Sequence, residues 1–498
     1  MKPNKNKQIM IGALMTYLSI GINVAAGILY TPWMISQIGQ SDYGLYTLAN
    51  SLISLFLVDI GLGAATSRFV AKYRAQGREN EIPGFLSAVY KLYLGLDAII
   101  FLALIGVFFC TDLIYSNFSA TELTKFKTIF CIAGLYSLVS FPCTTFNGIL
   151  TAYEEFVPLK LADVVQRIGT IALTVIALLL GMKLYALVTV NAICGLLSIG
   201  IKFWFVQKNI PIRFSKNQRS TYREILGFSV WSSVYGLAQR LIFNITPTII
   251  GMTVAAATST IAVFGIVTTI ESYCYTITTA INGMFISRIT RFAEGDHSRS
   301  RITALATKVG RFQFGLNGLV ILGFLTVGRE FIDLWIGDAY RAAYWGILLV
   351  ITPGLFYNSL QIFNTAIVAQ NLVKYQAYIQ ITMGLCNVTL SLLFSSLWGV
   401  VGASLSIFVA YSLRVILTLI LIQKKLDVDL SHYIRNCYGR MAIPLALSLV
   451  ICVGVCGFIP AGNWGMLVLK ACTVATVYGI CLVLLGLTAD ERKKLLRK

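Results

Sequence analysis

Charged residues are scarce in this sequence: Asp, Glu, Lys and Arg make up 12% of its 498 residues, against about 25% in soluble domains. Only two histidines are present, His297 and His432, and both fall outside the long apolar stretches. No Gly-rich loop of the kind that cradles the phosphates of ATP is found either. The sequence therefore excludes a soluble fold, histidine-centred catalysis within a membrane, and ATP hydrolysis through such a loop.

The 11 cysteines are expected to pack as small apolar side chains and not to bind a metal. Cys452 and Cys456 stand four residues apart, as two ligands on one helix face would, but no His or carboxylate accompanies them nearby in the sequence. Inside a membrane span, cysteine acts mainly as a small apolar side chain. We therefore expect neither a metal site nor a cofactor.

Apolar stretches long enough to cross the roughly 30 Å hydrocarbon layer as helices recur along the chain. They lie near residues 9–31, 44–66, 85–109, 126–148, 161–181, 184–205, 226–250, 260–285, 312–334, 344–369, 377–397, 399–422, 441–459 and 465–487. Strands of a membrane barrel would be ~10 residues long and would alternate polar with apolar side chains, a pattern that these stretches lack. The sequence predicts an all-α integral membrane protein with about fourteen transmembrane helices.

The basic residues are distributed unevenly between the two sides of these spans. Short loops that stay in the cytoplasm are enriched in Lys and Arg, and most of the 40 such residues lie at the termini and in the even-numbered connections. The opposite side carries only Lys125, Lys127, Lys183, Arg329 and Arg341. This distribution predicts that both termini are cytoplasmic, and it accounts for most of the net charge of +19. It does not indicate nucleic-acid binding, which requires one concentrated basic face.

Four short segments of the first half recur in the second half at an offset of 215 to 220 residues. The pairs are Thr31-Pro32 with Thr246-Pro247, Ser67-Arg68-Phe69 with Ser287-Arg288-Ile289, Phe146-Asn147 with Phe363-Asn364, and Gln207-Lys208 with Gln423-Lys424. Each repeat contains six spans, so both repeats enter and leave on one side, as in transporters built from parallel repeats. We predict six-helix bundles at 1–210 and 211–428, followed by two added helices at 429–498.

Polar side chains in several spans follow the i+3, i+4 and i+7 spacing that places them on one helix face. Such faces are candidates for the lining of a cavity between the bundles, although small polar residues also mediate helix packing in lipid. The cavity candidates are Asn23, Asn147, Asn244, Tyr275, Asn282, Gln361 and Asn364.

Ionisable residues inside spans cost at least ~2.5 kcal/mol each at mid-membrane and usually serve a function. Arg240 and Glu271 lie near the centres of their spans, on polar faces and at similar depth, so they are predicted to pair. The pair is either a structural salt bridge or part of a substrate site. Glu271, Asp59 and Asp97 are the candidates for coupling transport to an ion gradient.

Other ionisable residues have simpler expected roles. Asp163 and Arg167, four residues apart on one helix, are predicted to neutralise each other. Arg414 is expected to extend its charge towards the cytoplasmic interface along an apolar stem. Lys91, Lys202 and Lys470 lie near span ends and are expected to anchor the interface.

The run from Tyr43-Gly44-Leu45-Tyr46 through Asp59-Ile60-Gly61-Leu62-Gly63 to Ser67-Arg68-Phe69-Val70-Ala71 resembles the polysaccharide-transport family of lipid-linked oligosaccharide flippases. This family belongs to the multidrug, oligosaccharidyl-lipid and polysaccharide exporter superfamily. The Phe146-Asn147-Gly148 segment and the fourteen spans agree with it.

The resemblance implies a V-shaped pair of helix bundles in the bacterial inner membrane. Their substrate would be an undecaprenyl-diphosphate-linked oligosaccharide, moved to the outer leaflet for a surface polysaccharide such as O-antigen. Helices 1, 2, 7 and 8 would line a cationic cavity, and helices 13 and 14 would form a groove for the lipid tail. Membrane lipid and other polysaccharide-assembly membrane proteins are the further partners that it implies.

Two alternatives remain open at this point. One is a multidrug or metabolite exporter of the same superfamily, which needs no lipid groove. The other is a membrane enzyme, namely a polysaccharide polymerase or glycosyltransferase, which usually carries an extended outer loop or a soluble catalytic domain. The longest predicted outer loop runs only from about 110 to 125, and no site concentrates catalytic residues. The sequence therefore favours a transporter over an enzyme.

Overall fold

The computed structural model describes residues 5–57, 62–209, 219–280, 282–285, 289, 292, 298–370, 372–426, 428–460, 462–487 and 492. Over these residues the fold consists of helices and their connections, without a β-strand. The α-helices are α1 (Lys5–Ile38), α2 (Gln40–Phe56), α3 (Leu62–Ala75), α4 (Ile82–Ile114), α5 (Ala120–Cys143), α6 (Thr145–Ala152), α7 (Phe156–Leu179), α8 (Lys183–Asn209), α9 (Arg219–Phe243), α10 (Thr246–Thr253), α11 (Ala257–Thr279), α12 (Ser298–Trp335), α13 (Ala343–Tyr357), α14 (Gln361–Ala369), α15 (Val373–Leu421), α16 (Leu430–Ile434), α17 (Arg440–Phe458) and α18 (Trp464–Cys481).

Ten helical segments within the described ranges are long and apolar enough to cross a membrane. They coincide with eleven of the predicted spans, because one of them, α15, contains both 377–397 and 399–422. The three other predicted spans lie in α1, in α2 with α3, and in α9 with α10. Large apolar side chains such as Leu113 and Phe458 are 83% and 91% exposed, as expected for surfaces that face lipid. The predicted all-α integral membrane fold is confirmed.

The 49-residue helix α15 is interrupted at Gly399, whose φ of +54° and ψ of −126° are not helical. Glycine reaches positive φ without the steric cost that a Cβ imposes. A Cβ added to Gly402 would lie 1.9 Å from the carbonyl oxygen of Phe394, although residues eight positions apart in a straight helix are about 12 Å apart. The chain therefore folds back at Gly399, and the two predicted spans are separate helices.

Contacts divide the chain into two compact units. We call residues 34–262 the N-unit, and residues 1–33 together with 263–498 the C-unit. The division passes through α1 and α11, and it places α9 and α10 in the N-unit. The bundles 1–210 and 211–428 and the addition 429–498 rest on the sequence repeat alone, and they stay a prediction.

The N-unit is built around α2, which packs on α5, α9 and α10, while α3 packs on α6 and α7 packs on α8. Leu45 and Leu48 of α2 and Phe126 and Ile129 of α5 are fully buried where these helices meet. Both pairs are three residues apart, which places each pair on one helix face. The apolar spacing of the sequence thus decides which faces are buried.

In the C-unit, α13 packs along α15, and α12 packs against α13, α17 and α18. Two glycines of α12 leave room for tyrosine hydroxyls from the C-terminal region. The hydroxyl of Tyr433 on α16 packs against Gly310, and that of Tyr478 on α18 packs against Gly318. The Tyr433 hydroxyl also donates a 2.9 Å hydrogen bond to the carbonyl oxygen of Ser359. The two added helices are therefore fastened to the rest of the C-unit.

Candidate functional site

A buried arginine lies in the interior of the C-unit. Arg414 is 4% exposed, and its guanidinium donates a hydrogen bond to the hydroxyl of Tyr357. The guanidinium carbon lies 3.7 Å from the centre of the Tyr357 ring and 5.6 Å from that of Tyr411. Cation–π attraction strengthens when the cation is desolvated, so the tyrosines offset part of the cost of burial. The prediction that Arg414 extends to the membrane interface is wrong, because two aromatic rings hold it inside.

The charge of Arg414 acts on Glu271, which is half-buried on α11. Glu271 and Tyr357 each lie 14 residues after the first residue of their helices, α11 and α13, a rise of about 21 Å. Arg414 lies 15 residues beyond the break at Gly399. The C-unit therefore contains opposite charges within its helices.

Arg240 belongs to the N-unit and lies in the last turn of α9. Its Nη1 donates a hydrogen bond to the carbonyl oxygen of Ser54, in the last turn of α2, where carbonyl groups have no partner within the helix. The backbone N–H of Asn244 donates to the Arg240 carbonyl at 3.1 Å. Since Arg240 and Glu271 belong to different units, their pairing stays a prediction.

Two of the predicted cavity amides are hydrogen bonded inside the C-unit. The side-chain oxygen of Asn282 accepts a 2.7 Å hydrogen bond from Nε2 of Gln313, and that of Asn364 accepts a 3.3 Å bond from Nε2 of Gln376. The amide nitrogens of Gln361 and Asn364 are buried and have no hydrogen-bond partner among the described residues.

The remaining candidates are more dispersed. Asn147 is exposed on α6, and Tyr275 is 41% exposed on α11. Asp97 is half-buried on α4, where its Oδ1 is buried without a hydrogen-bond partner in the described part of the chain. Asp59 and the side chain of Asn23 lie outside the described residues.

A polar junction in the N-unit lies directly before the first motif of the family resemblance. Oε1 of Glu122 accepts hydrogen bonds from the hydroxyls of Ser41 and Thr258, each at 2.7 Å. Asp42, next in the chain, lies 2.6 Å from the ammonium of Lys125. The junction joins α2, α5 and the start of α11.

A glycine makes this junction possible. A Cβ on Gly44 would lie 1.9 Å from the carbonyl oxygen of Thr258, a separation at which the two atoms would clash. The side chain is therefore absent at position 44 because α11 approaches α2 so closely there.

Two sequence predictions about charged pairs are wrong. Asp163 lies 2.9 Å from Nζ of Lys202 on α8 and 3.8 Å from Nζ of Lys160, and no ion pair joins it to Arg167 in the described ranges. Lys202 and Lys470 do not extend to the membrane interface, because the ammonium of each forms an ion pair with a carboxylate of a neighbouring helix. Lys470 pairs with Glu330, a residue of α12 that sequence reasoning missed. The signal was present, since Glu330 is a carboxylate inside the predicted span 312–334.

A second missed feature runs along α15. Gln380, Asn387, Ser391 and Ser395 are fully buried, and their spacing of seven, four and four residues places them on one helix face. The same spacing criterion identifies polar faces on the other spans. Applied to 377–397, it would have found this face.

An apolar cavity of about 430 Å³ lies in the C-unit between α12, α17 and α18. Its walls include Phe312, Leu316, Leu319, Met441, Ala475, Tyr478, Gly479 and Leu482. Lys308 and Arg311 stand at its end nearest the start of α12. The cavity thus combines apolar walls with two cations at one end.

Comparisons with known proteins give a family and a fold. The family model described as "Polysaccharide biosynthesis protein" matches residues 9–293, whereas none of the curated proteins matches by sequence. The fold is similar to that of the structure titled "Lipid II flippase MurJ, inward closed conformation", with 15% identity and a TM-score of 0.73 over 96% of this chain and 98% of that one.

The fold is also similar to an inward-facing multidrug resistance MATE family transporter of the MOP superfamily, with 14% identity and a TM-score of 0.69 over 84% of this chain and 98% of that one. The Vibrio cholerae MATE transporter VcmN in its bent form gives 12% identity and a TM-score of 0.55 over 86% and 98%. At these identities the structural likeness concerns the fold.

Proposed function

Because the chain belongs to the polysaccharide biosynthesis protein family, we propose that it moves an undecaprenyl-diphosphate-linked oligosaccharide across the bacterial inner membrane by alternating access. The cargo is the repeat unit of a surface polysaccharide such as O-antigen, and both termini face the cytoplasm. The fold shared with a lipid II flippase and with exporters of the MOP superfamily supports a transporter of this kind.

The apolar cavity between α12, α17 and α18 is the observation that carries the proposal. A polyprenyl diphosphate has a long hydrocarbon tail and an anionic head, and the cavity has apolar walls with Lys308 and Arg311 at one end. Apolar walls bury the tail, and the guanidinium fork of Arg311 matches phosphate oxygens. The two cations lie at the predicted cytoplasmic end of α12, where the lipid-linked substrate would be collected.

The sugar and diphosphate require polar partners while they cross. Arg240, with a planar guanidinium that stays charged at any relevant pH, is the proposed anion site. The buried amide nitrogens of Gln361 and Asn364 offer hydrogen bonds to sugar hydroxyls, which unsatisfied groups in a membrane interior would seek. The ion gradient would act on a carboxylate that is alternately charged and neutral, with Glu271, Asp97 and Asp59 as candidates.

A multidrug or metabolite exporter is the second candidate, and its support is the fold shared with the MATE transporters. A soluble drug does not require an apolar cavity with cations at one end, so the cavity supports the lipid-linked substrate over this candidate. A polysaccharide polymerase or glycosyltransferase has less support, since the similar structures carry the names of transporters and flippases.

The test fills the cavity at Gly479, where an added Cβ meets open space. Gly479→Phe should reduce surface polysaccharide at least fivefold in cells that depend on this chain, because the ring occupies the place of the lipid tail. Gly457→Phe is the matched control, since Gly457 on α17 also has open space around it and does not line the cavity. Membrane levels of both variants are measured by immunoblot.

Normal polysaccharide in a well-expressed Gly479→Phe strain would contradict the lipid-linked substrate. Resistance to a cationic dye that is lost on gene deletion and retained by Gly479→Phe would instead support the exporter.

A further inference from the structure

Five fully buried polar side chains lie on the two halves of α15 in the C-unit, and we call them the α15 seam. Its members are Gln380, Asn387, Ser391, Ser395 and Ser404, each at most 1% exposed. The first four lie on one face of the first half of α15 and span 15 residues, or about 22 Å. Ser404 follows in the second half, after the break at Gly399. The seam is therefore long enough to cross most of the hydrocarbon layer.

Much of the polar surface of the seam has no partner within the described residues. Both amide atoms of Gln380 and the hydroxyls of Ser391, Ser395 and Ser404 make no hydrogen bond there. Thr382 and Thr389, on the exposed face of the same helix, donate to carbonyl groups one turn back. Buried polar groups are normally satisfied by protein or by ordered water, so the seam has the chemistry of a site for a file of water molecules.

One member of the seam, Ser404, lies near the helix face that carries Glu271. A Cβ on Gly346 of α13 would lie 2.9 Å from the hydroxyl of Ser404 and 2.8 Å from the side chain of Val267, so α11, α13 and α15 meet there. Glu271 is four residues after Val267, which places the two side chains on the same face of α11. Ser404 is therefore on the side of α11 where the carboxylate lies.

We propose that the α15 seam is a hydrated path through the C-unit by which protons reach and leave Glu271. The inference rests on the proposed function, since it assigns the coupling ion of the same transport cycle. In each cycle a proton from water on one side forms an O–H bond at the Glu271 carboxyl, and that bond breaks when the proton returns to water on the other side.

The charges around Glu271 favour a proton over a metal cation. Arg414 on α15, packed against the rings of Tyr357 and Tyr411, acts on the carboxylate, and Cys274 lies one turn along α11. The side chains of α1, α12 and α18 that meet α11 in an adjoining cavity of about 280 Å³ are apolar. A fixed guanidinium that acts on the carboxylate opposes a second cation such as Na⁺, whereas a proton neutralises the carboxylate itself.

The first test measures hydration without any substrate. Met383 is fully buried and lies between Gln380 and Asn387 on the same helix face, so hydroxyl radicals formed from seam water should oxidise it. The triple variant Gln380→Leu, Ser391→Ala and Ser395→Ala should lower the rate of Met383 oxidation at least threefold in purified full-length protein. The control triple Thr382→Ala, Thr389→Ala and Ser396→Ala, on the exposed face, should leave the rate unchanged.

The second test measures coupling in vesicles that contain a pH-sensitive dye. Undecaprenyl diphosphate carrying a fluorescent N-acetylglucosamine is the probe, and its translocation by the wild type should be accompanied by proton entry. The seam triple should reduce probe-driven proton entry at least tenfold, and the control triple less than twofold. If the seam triple does not accumulate, the single variant Ser391→Ala should still reduce proton entry at least threefold.

Equal Met383 oxidation in the wild type and the seam triple would overturn the inference, as would unchanged proton entry or translocation driven by a Na⁺ gradient alone. A wild type that leaves the probe in place contradicts the proposed function, whereas the oxidation rates still decide whether the seam is hydrated.

Discussion

The ammonium of Lys470 on α18 lies 2.7 Å from the carboxylate of Glu330 on α12, and the two side chains are only 8% and 14% exposed. The same carboxylate accepts a 3.1 Å hydrogen bond from the backbone N–H of Gly462. This pair joins the first half of α18 to the C-terminal end of α12. Tyr433 and Tyr478 make further contacts with Gly310 and Gly318 of α12. The two added helices are therefore expected to move with the C-unit as one body.

Removing one partner of this buried pair leaves the other charge without compensation. Lys470→Met alone should lower the free energy of unfolding by about 3 kcal/mol, because breaking a buried pair typically costs ~3–5 kcal/mol. The double variant Lys470→Met with Glu330→Leu should recover most of that loss, since it removes both charges. Denaturant unfolding in detergent micelles measures the cycle.

A matched control is the exposed pair of Lys127 and Asp112, whose charged atoms are 2.8 Å apart. Lys127→Met should change the free energy of unfolding by less than about 1 kcal/mol. Additive losses for Lys470→Met and Glu330→Leu would show that the two charges act independently.

Tyr357 holds Arg414 in two ways that substitution can separate. Tyr357→Phe removes the hydroxyl that accepts from the guanidinium and should lower the free energy of unfolding by about 2 kcal/mol, the usual range for a hydrogen bond to a charged group. Tyr357→Leu also removes the ring face and should lose up to about 2 kcal/mol more. Tyr185→Phe, at a 39% exposed position, should be neutral. Equal losses for Tyr357→Phe and Tyr357→Leu would contradict a role for the ring.

Arg240 as the anion site predicts a specific loss of function. Arg240→Ala should reach the membrane at normal levels and yet lose surface polysaccharide at least tenfold, and adding Glu271→Ala should not restore it. If the two residues form a permanent structural pair instead, Arg240→Lys should fold poorly, and the double change should recover both folding and export. Immunoblots of membranes and staining of surface polysaccharide distinguish the two outcomes.

The spans were predictable because the thickness of the bilayer sets the length of an apolar stretch. All fourteen predicted stretches contain helices, and even the break between 377–397 and 399–422 falls at Gly399, where the structure reverses the chain. The family motif at Tyr43-Gly44 could be noticed in the sequence. Its physical reason, the approach of the Thr258 carbonyl, depends on a helix that lies more than 200 residues away in the chain.

Partners of buried charges could not be predicted, because they depend on which helices adjoin. Asp163 has a basic neighbour one turn away in Arg167, yet it pairs with Lys202 on the next helix. Lys470 lies near the end of its span, but a carboxylate on α12 meets it there. The position of a residue along its helix can be counted from the sequence. The neighbouring helix that supplies its ion-pair partner depends on the tertiary fold.

The reversal at Gly399 decides on which side of the membrane the rest of the chain lies. As one straight helix, the 49 residues of α15 would extend about 74 Å, more than twice the hydrocarbon thickness. The reversal turns one crossing into two, which keeps the predicted number of crossings even. Without it, α17 and α18 would cross the membrane in the opposite direction. The basic segment at 492–498 would then lie on the non-cytoplasmic side, where Lys and Arg are depleted. The topology of the final hundred residues thus depends on one residue with a positive φ.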